Sequence, residues 1–285
     1  AEDGIRDLVR SRGLGDVYKR QALAGYDVRL YDVEAGVLED VVASIRTNLH
    51  KGVELGKVEA ADRDAAVARL RTAVELPAAV EGADVVIEAV PERLELKRRV
   101  LGDVAGLVAP TAVLASNTSS LSISAIAAGI DGPERVLGLH FFNPVHIMSL
   151  VEVVRGERTT DRVVEQAVEL AGRLGKEPIV VRDSPGFASS RLGVALGLEA
   201  IRMLEEDVAT ARDIDRAMEL GYRHPMGPLK LTDLVGLDVR LEIARYLHRE
   251  LGGDRFRPPE LLERMVEAGR LGKKTGAGFY TWDEG

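Results

Sequence analysis

The chain has 285 residues, of which 46% are hydrophobic and 29% charged, a composition typical of a folded globular protein and not of a disordered or fibrous one. Its 38 basic and 46 acidic side chains give a net charge of −8, and no segment is dense in Lys and Arg, so we expect no nucleic-acid partner. The absence of cysteine excludes disulfides, thiolate nucleophiles and cysteine zinc sites, and we expect no metal.

The chain begins without a signal-peptide pattern, and we expect a cytoplasmic location. The longest uncharged stretch, Val104 to Ile130, is long enough to cross a bilayer. It contains Pro110 and the polar run Ser116 to Ser120, however, and polar groups are costly in lipid. We therefore predict that it forms buried core and that the protein has no membrane partner.

Short β-branched segments alternate with longer amphipathic segments as far as about Val181, which predicts a parallel sheet covered by helices on both faces. Between Val37 and about Leu70 no strand pattern occurs, and the spacing predicts a helical hairpin inserted after the first strand. The predicted strands are Val28–Asp32, Ala83–Val90, Ala112–Ser116, Val136–Phe142, Leu150–Val154 and Ile179–Val181.

The character of the chain changes at Asp183-Ser184-Pro185-Gly186. From Ser189 onward, Leu, Ala, Arg and Glu recur at helical spacing. We predict two domains, an α/β domain over residues 1–184 and an all-helical domain over residues 185–285.

Asp32 closes the first strong strand of the α/β domain. A carboxylate at that point can accept both hydroxyls of an adenosine ribose and repel a 2′-phosphate, which favours NAD over NADP. The alternative interpretation is that Asp32 caps a helix. Arg29 lies close enough in sequence that NADP stays possible.

His140 ends an apolar strand, and Glu152 lies twelve residues later within another. Open α/β folds place their chemistry at the carboxyl ends of strands, and histidine suits general-base catalysis. A buried carboxylate is costly unless it is paired, so a His140–Glu152 pair accounts for both residues. The alternative is a structural histidine and a Glu152 that faces water on an edge strand.

Three further groups of polar residues have less specific patterns. The hydroxyls of Ser116 to Ser120 follow a strand, and Ser119 or Ser120 could equally cap a helix. Solvated surface is the default interpretation for two pairs of residues, which are Glu92 with Lys97 and Ser44 with Lys51.

Six motifs in this order resemble the L-3-hydroxyacyl-CoA dehydrogenase family, most closely its bacterial 3-hydroxybutyryl-CoA members. They are Ser116–Leu121, Leu139–Pro144, Val151–Val153, Asp183–Phe187, Pro225–Pro228 and Gly272–Gly276. The resemblance extends from about Ala22 to the C-terminus. It implies a Rossmann-type NAD-binding domain, an acyl-CoA substrate and a helical C-terminal domain that binds substrate and forms a homodimer.

The resemblance also implies a role for individual positions. His140 would be the general base of the 3-hydroxyl group, Glu152 would hold its ring, Ser119 would bond the substrate oxygen, and Asn143 would position the reacting groups. Cofactor-binding positions would be Asp32, Ala89, Glu92, Lys97, Ser119, Asn143 and Lys274. Substrate-binding positions would be Ser44, Lys51, Ser119 and Ser190, with Ser44 and Lys51 at the CoA end.

Two departures from the family pattern stand out. Ser190 occupies the position of a usual asparagine, which predicts slower turnover. The three glycines of the GxGxxG turn would align with Val9, Ser11 and Leu14, and branched side chains there would block the approach of pyrophosphate. Only Gly13-Leu14-Gly15 is left of a glycine pattern. We hypothesise that residues 1–21 are a foreign segment that replaced the native first strand and phosphate loop.

The sequence leaves three functions open. The first is interconversion of L-3-hydroxyacyl-CoA and 3-oxoacyl-CoA with NAD, most closely on 3-hydroxybutyryl-CoA. The second is an L-gulonate 3-dehydrogenase-like activity on free hydroxy acids. The third is a non-catalytic acyl-CoA-binding protein, because the missing glycines predict weak cofactor binding.

Overall fold

A computed structural model describes residues 17–142, 145 and 147–282 of the chain. Asn143 and the Gly13-Leu14-Gly15 turn therefore lie outside the described residues, as does most of the segment 1–21. The chain divides into two compact units, Ala1–Asp183 and Ser184–Gly285.

The first unit has the predicted α/β composition, and α1 covers residues 17–23. The remaining elements follow in the order β1 (Val28–Tyr31), α2 (Ala35–Glu54), α3 (Ala60–Ala68), β2 (Leu70–Ala73), α4 (Leu76–Val80), β3 (Val85–Glu88), α5 (Leu94–Ala105), β4 (Val113–Ser116), α6 (Ile123–Ala127), β5 (Val136–Phe141), β6 (Leu150–Arg155), α7 (Asp161–Arg173) and β7 (Glu177–Arg182).

The predicted fold class is confirmed, including the inserted hairpin, which is formed by α2 and α3. The strand β2 was not predicted, because only one of its four residues is buried and its sequence, Leu-Arg-Thr-Ala, has no apolar run. The stretch Val104 to Ile130 contributes the fully buried strand β4, as expected of core. No helix in the described ranges has the length and apolarity that crossing a membrane requires.

The strands form two sheets, one with the order β1-β2 and one with the order β3-β4-β5-β6-β7. Strands β5 and β6 pair antiparallel, so the expectation of an entirely parallel sheet is wrong. Only eight residues separate these strands, and a parallel crossover needs a dozen or more. Within the described residues, β1 pairs only with β2 and β3 only with β4. Whether the sheet has lost a central strand stays a prediction.

The core of the first unit is in two parts, and α1 contributes to both. Val17 packs in the cluster around β4, β5, β6 and α7, whereas Ala22 packs with β1, α2 and α3. Tyr26 contacts both clusters. The helix preceding β1 therefore links the two sheets through apolar burial.

The second unit is helical, as predicted. Its helices are α8 (Ser189–Glu205), α9 (Ala211–Gly221), α10 (Pro228–Val235), α11 (Leu237–Leu251) and α12 (Glu260–Glu267). Leu198, Leu229, Leu237 and Leu247 are fully buried at its centre. These helices form a core of their own.

Candidate active site

His140 and Glu152 are directly opposite each other on β5 and β6. Directly paired residues of antiparallel strands project on the same face of the sheet. The imidazole Nδ1 lies 2.7 Å from Oε2 of Glu152. Glu152 is fully buried and His140 is 5% exposed. The predicted pairing of these two side chains is thus present, and its strength is increased by the surrounding low dielectric.

The alternative of a water-facing Glu152 on an edge strand is wrong, because β6 lies between β5 and β7. A carboxylate only accepts hydrogen bonds, so Nδ1 of His140 carries the proton. In the neutral ring Nε2 is then the acceptor nitrogen. The Phe142 ring lies 4.4 Å from the imidazole, centroid to centroid, and packs beside it. This fixed tautomer is the one that a general base at Nε2 requires.

Lys97 is almost completely buried, with 1% of its surface exposed. Its ammonium Nζ bonds Oε1 of Glu88 at 2.9 Å and the Val90 carbonyl oxygen at 3.0 Å, and it lies 3.4 Å from Oε2 of Glu92. The default interpretation of Lys97 as a solvated surface residue is wrong. Protein oxygens thus lie within reach of all three ammonium protons. Lys97 therefore influences the site by holding the carboxylates of Glu88 and Glu92 in place.

The carboxylate of Glu92 organises the segment that follows β4. Its Oε1 accepts hydrogen bonds from the Thr118 hydroxyl at 2.6 Å, the Ser119 amide at 3.0 Å and the Ser120 amide at 3.1 Å. Burial alone would raise the pKa of Glu92, but the Lys97 cation and the bonds from Thr118 and Ser119 outweigh it and lower that pKa. Glu92 is thus an ionised clamp on the Thr118–Ser120 turn, although 34% of its side chain is exposed.

We expect Glu92→Gln to destabilise the protein near neutral pH. The folded-state pKa of Glu92 lies below its ordinary value of 4.5, so its contribution is fully present above that value and is lost as the pH falls through the lowered pKa. Urea unfolding midpoints of the variant and the wild type should therefore differ at pH 7 and converge as the pH falls through the lowered pKa of Glu92.

The matched control is Glu95→Gln. Glu95 is 78% exposed and pairs with Arg98 on the same helix, so its removal should have little effect at either pH. A midpoint difference for Glu92→Gln that is constant from pH 7 to pH 3 would contradict the ionised clamp.

Ser119 lies in this turn and is exposed at the carboxyl end of β4. Neither Ser119 nor Ser120 caps the next helix, contrary to the alternative interpretation. Ser122 is the cap of α6, because its hydroxyl accepts the Ala125 amide. The exposed position of Ser119 is compatible with the predicted contact to a substrate oxygen, which stays a prediction.

Sequence reasoning missed two residues that support this region. Glu88 ends β3, and its second carboxylate oxygen accepts the Ser116 hydroxyl at 2.7 Å. The side-chain oxygen of Asn117 accepts the Phe141 amide at 3.0 Å and so ties the end of β4 to that of β5. The role of Glu88 could have been predicted from the sequence, because a carboxylate directly after Val85-Val86-Ile87 requires a buried partner.

Asp32 follows β1, as predicted, and is partly buried. Its carboxylate accepts a hydrogen bond from the amide of Glu34 at 3.0 Å, while Glu34 itself is the N-cap residue that precedes α2. The interpretation of Asp32 as the helix cap is therefore wrong. Arg29 donates to the Glu81 carbonyl oxygen.

Ser44 and Lys51 lie two turns apart on α2, and both are exposed. Two open cavities of about 600 and 650 Å³ flank this helix, and Arg46 lines both of them. Neither Ser44 nor Lys51 lines either cavity. Their predicted contact with the CoA end stays a prediction.

The remaining predicted residues belong to the second unit. Ser190 is the second residue of α8. Lys274 is held by Asp238, whose two carboxylate oxygens lie 2.5 and 2.6 Å from its Nζ. Its predicted approach to a cofactor is not tested by this contact.

Comparison with known proteins assigns the family. The profile described as 3-hydroxyacyl-CoA dehydrogenase, NAD binding domain, matches residues 16–184, and the profile of the C-terminal domain of the same family matches residues 186–282. The chain belongs to the 3-hydroxyacyl-CoA dehydrogenase family. The predicted resemblance is confirmed, and the first unit contains an NAD-binding domain. The match begins at residue 16, so the predicted start near Ala22 is too late and residues 16–21 match the family.

Individual relatives agree with this assignment. The 3-hydroxybutyryl-CoA dehydrogenase of Bradyrhizobium diazoefficiens is 42% identical over 261 residues, 92% of this chain and 89% of the relative. The 3-hydroxyadipyl-CoA dehydrogenase of Escherichia coli is 43% identical over 259 residues, 90% of this chain and 54% of the relative. The crystal structure of (S)-3-hydroxybutyryl-CoA dehydrogenase from Ralstonia eutropha has a TM-score of 0.92 and 36% identity, and covers 96% of this chain and 97% of its own.

The described residues of this 3-hydroxyacyl-CoA dehydrogenase fit the adenosine end of NAD. Asp32 presents a partly buried carboxylate at the end of β1, where it can accept ribose hydroxyls and disfavour a 2′-phosphate. Ala89 directly follows β3 and is partly buried. The positions predicted to hold pyrophosphate precede Val17 and lie outside the described residues.

Proposed function

We propose that this dehydrogenase interconverts L-3-hydroxybutyryl-CoA and acetoacetyl-CoA. The observation that carries the proposal is the buried His140–Glu152 pair, with its 2.7 Å contact, at the carboxyl end of β5. Relatives of nearly equal identity are named for butyryl and adipyl chains, so the short acyl chain rests on the predicted resemblance.

In the oxidation of the alcohol, Nε2 of His140 takes the proton of the 3-hydroxyl group. NAD, when bound, supplies the hydride acceptor. Glu152 keeps Nδ1 protonated and stabilises the imidazolium that forms, as a carboxylate hydrogen-bonded to a catalytic histidine does. In the reverse direction the imidazolium returns the proton to the developing alkoxide.

The neighbouring polar residues position the substrate. Glu92 holds the amides of the Thr118–Ser120 turn, so that the Ser119 hydroxyl is presented beside the sheet edge to the substrate oxygen. Asn143 and Ser190 complete this set in our proposal, with Ser190 bonding the thioester oxygen in place of the usual asparagine. Its shorter side chain predicts slower turnover.

The CoA end is assigned to Ser44 and Lys51 on the exposed face of α2. A cation that faces phosphate forms a charge-assisted hydrogen bond, which a free hydroxy acid could not use. Retention on CoA-agarose, with elution by free CoA, would distinguish the acyl-CoA substrate from the free acid of an L-gulonate 3-dehydrogenase-like enzyme.

The direct test is reduction of acetoacetyl-CoA, followed as loss of NADH absorbance. We expect turnover with acetoacetyl-CoA and none with free acetoacetate. A folded chain that binds both acyl-CoA and NADH and yet turns over neither compound would contradict the proposal. The homodimer through the helical unit also stays a prediction, which sedimentation of the intact chain would check.

A further inference from the structure

Arg240 on α11 is a buried cation without a protein counter-ion. Only 5% of its surface is exposed, and no residue among those described forms a hydrogen bond or ion pair with it. Burial lowers the pKa of Arg240 to about 10, so the guanidinium is charged at neutral pH. A buried charge of this kind is costly unless a partner compensates it.

The acidic groups of the same helical core are engaged elsewhere. Asp215 accepts the amides of Leu229 and Lys230, at 2.8 and 2.9 Å. Asp233 accepts the amides of Phe279 and Tyr280, and Asp238 pairs with Lys274, as the described contacts show. None of these three carboxylates compensates Arg240 among the described contacts.

The guanidinium lies against two glycines of α8. A Cβ atom on Gly197 would lie 3.5 Å from Nε and Cζ of Arg240, and one on Gly193 would lie 3.8 Å from Nη1. No other atom of the described residues outside α8 comes within 4 Å of that Gly193 position, so no other side chain fills the gap between Nη1 and the α8 backbone there.

These glycines share a helix face with Ser190, because residues at i, i+3 and i+7 are aligned on a helix. Gly193 is half-buried and Gly197 buried, so the face leads from Ser190 into the core beside Arg240. Along the helix axis Gly193 is about 5 Å from Ser190 and Gly197 about 10 Å, at 1.5 Å per residue.

We propose that Arg240 is a specificity-determining residue that binds a carboxylate at the far end of the acyl chain, so that the substrate class includes 3-hydroxyacyl-CoA esters of dicarboxylic acids. This inference rests on the proposed function, in which Ser190 meets the thioester oxygen. The acyl chain then runs along the glycine face of α8. Because the CoA phosphates are assigned to the first unit, the anion that Arg240 binds would come from the acyl end of the substrate.

Length and geometry agree with this substrate class. The carbon chain of a six-carbon diacid has five C–C bonds of about 1.5 Å and so extends about 6–7 Å, which is enough to pass Gly193 and reach the side of Arg240 where Nη1 lies. A guanidinium presents a planar fork of N–H donors that matches a carboxylate in two parallel hydrogen bonds. An uncharged acyl end of the same length would leave those donors unpaired.

The test is calorimetric binding to the intact chain, without cofactor, of 3-hydroxyadipyl-CoA, 3-hydroxyhexanoyl-CoA and 3-hydroxybutyryl-CoA. The first two esters have six carbons and differ in the terminal carboxylate. We expect the adipyl ester to bind about 10- to 100-fold more tightly than the hexanoyl ester, as a hydrogen-bonded charge requires. Arg240→Met should abolish this preference, and Arg240→Lys should retain part of it.

Arg245→Met is the matched control. Arg245 lies on the same helix, is 57% exposed and pairs with Glu263, so its loss should leave the preference intact. Equal affinity of the wild type for the two six-carbon esters would overturn the inference, as would a preference that Arg240→Met retains. If Arg240→Met does not fold, the wild-type comparison and Arg240→Lys decide.

The same test distinguishes a failure of the proposed function from a failure of this inference. Binding of 3-hydroxybutyryl-CoA together with equal affinity for the six-carbon esters would overturn only the role of Arg240. A folded chain that binds none of the three esters would overturn the proposed function and this inference together.

Discussion

His140→Gln is expected to lower kcat by about 10²- to 10⁴-fold, the range that a positioned general base contributes. Glutamine keeps the bulk of the residue but cannot take the proton of the 3-hydroxyl group. Acyl-CoA affinity should stay within about threefold of the wild type, because the lost interaction forms in the transition state. Steady-state kinetics of acetoacetyl-CoA reduction, together with calorimetric binding of the acyl-CoA, measures both quantities.

Two variants sharpen this result. Glu152→Gln should lower kcat less than His140→Gln, because an amide oxygen can still orient Nδ1 but carries no charge to stabilise the imidazolium. His248→Gln is the control, since that ring bonds only the Gly253 carbonyl oxygen in its described contacts, at the end of α11. An equal fall of turnover and acyl-CoA binding in His140→Gln would indicate a folding role instead.

Replacing residues 1–21 by a strand and GxGxxG turn of the family type is expected to raise NADH affinity by about 100-fold or more. Each amide bond to a charged pyrophosphate contributes about 1.5–3 kcal/mol, and the glycine turn supplies several such amides. In the predicted alignment Val9, Ser11 and Leu14 fall at the three glycine positions, where their side chains would obstruct the approach of the phosphates. Fluorescence titration with NADH gives the affinity, and acetoacetyl-CoA reduction gives the activity.

Acyl-CoA binding serves as the internal control, because Ser44, Lys51 and Ser190 are outside the replaced segment. It should not change when the segment is replaced. Equal NADH affinity of the two chains would contradict the hypothesis that a foreign segment preceding residue 16 replaced the native strand and phosphate loop. A gain of stability in the replaced chain, measured by urea unfolding, would further support a missing strand between β1 and β3.

The apolar periodicity of the sequence was enough to predict most of the fold. Continuous β-branched segments such as Val85-Val86-Ile87 have no polar face, which predicts a strand. Strand β3 forms there, although Val85 is exposed and Val86 and Ile87 are half-buried among the described residues. The helical hairpin after β1 and the change to helical spacing after Asp183 were equally readable. Strand β2 was not, because its pairing with β1 stabilises a segment whose own composition favours no structure.

The candidate site was only partly readable. Asp32, His140 and Glu152 could be predicted because they lie at strand ends or within apolar strands. Burying a polar group there is costly unless a partner or a function accounts for it. Lys97 could not be predicted as buried, since its partners Glu88 and Glu92 meet it only when α5 folds back beside β3. The antiparallel pairing that places His140 opposite Glu152 also depends on the tertiary structure, although the short connection between β5 and β6 indicates it.

By itself the sequence determined the α/β class, the helical second unit, the family and the polar residues to which the proposed chemistry is assigned. Only the tertiary structure decided the state of those residues: the tautomer of His140, the ionised clamp of Glu92 and the uncompensated charge of Arg240. The physical reason is that burial, pairing and pKa depend on neighbours distant in sequence. Local periodicity does not show which charged residues those neighbours will be.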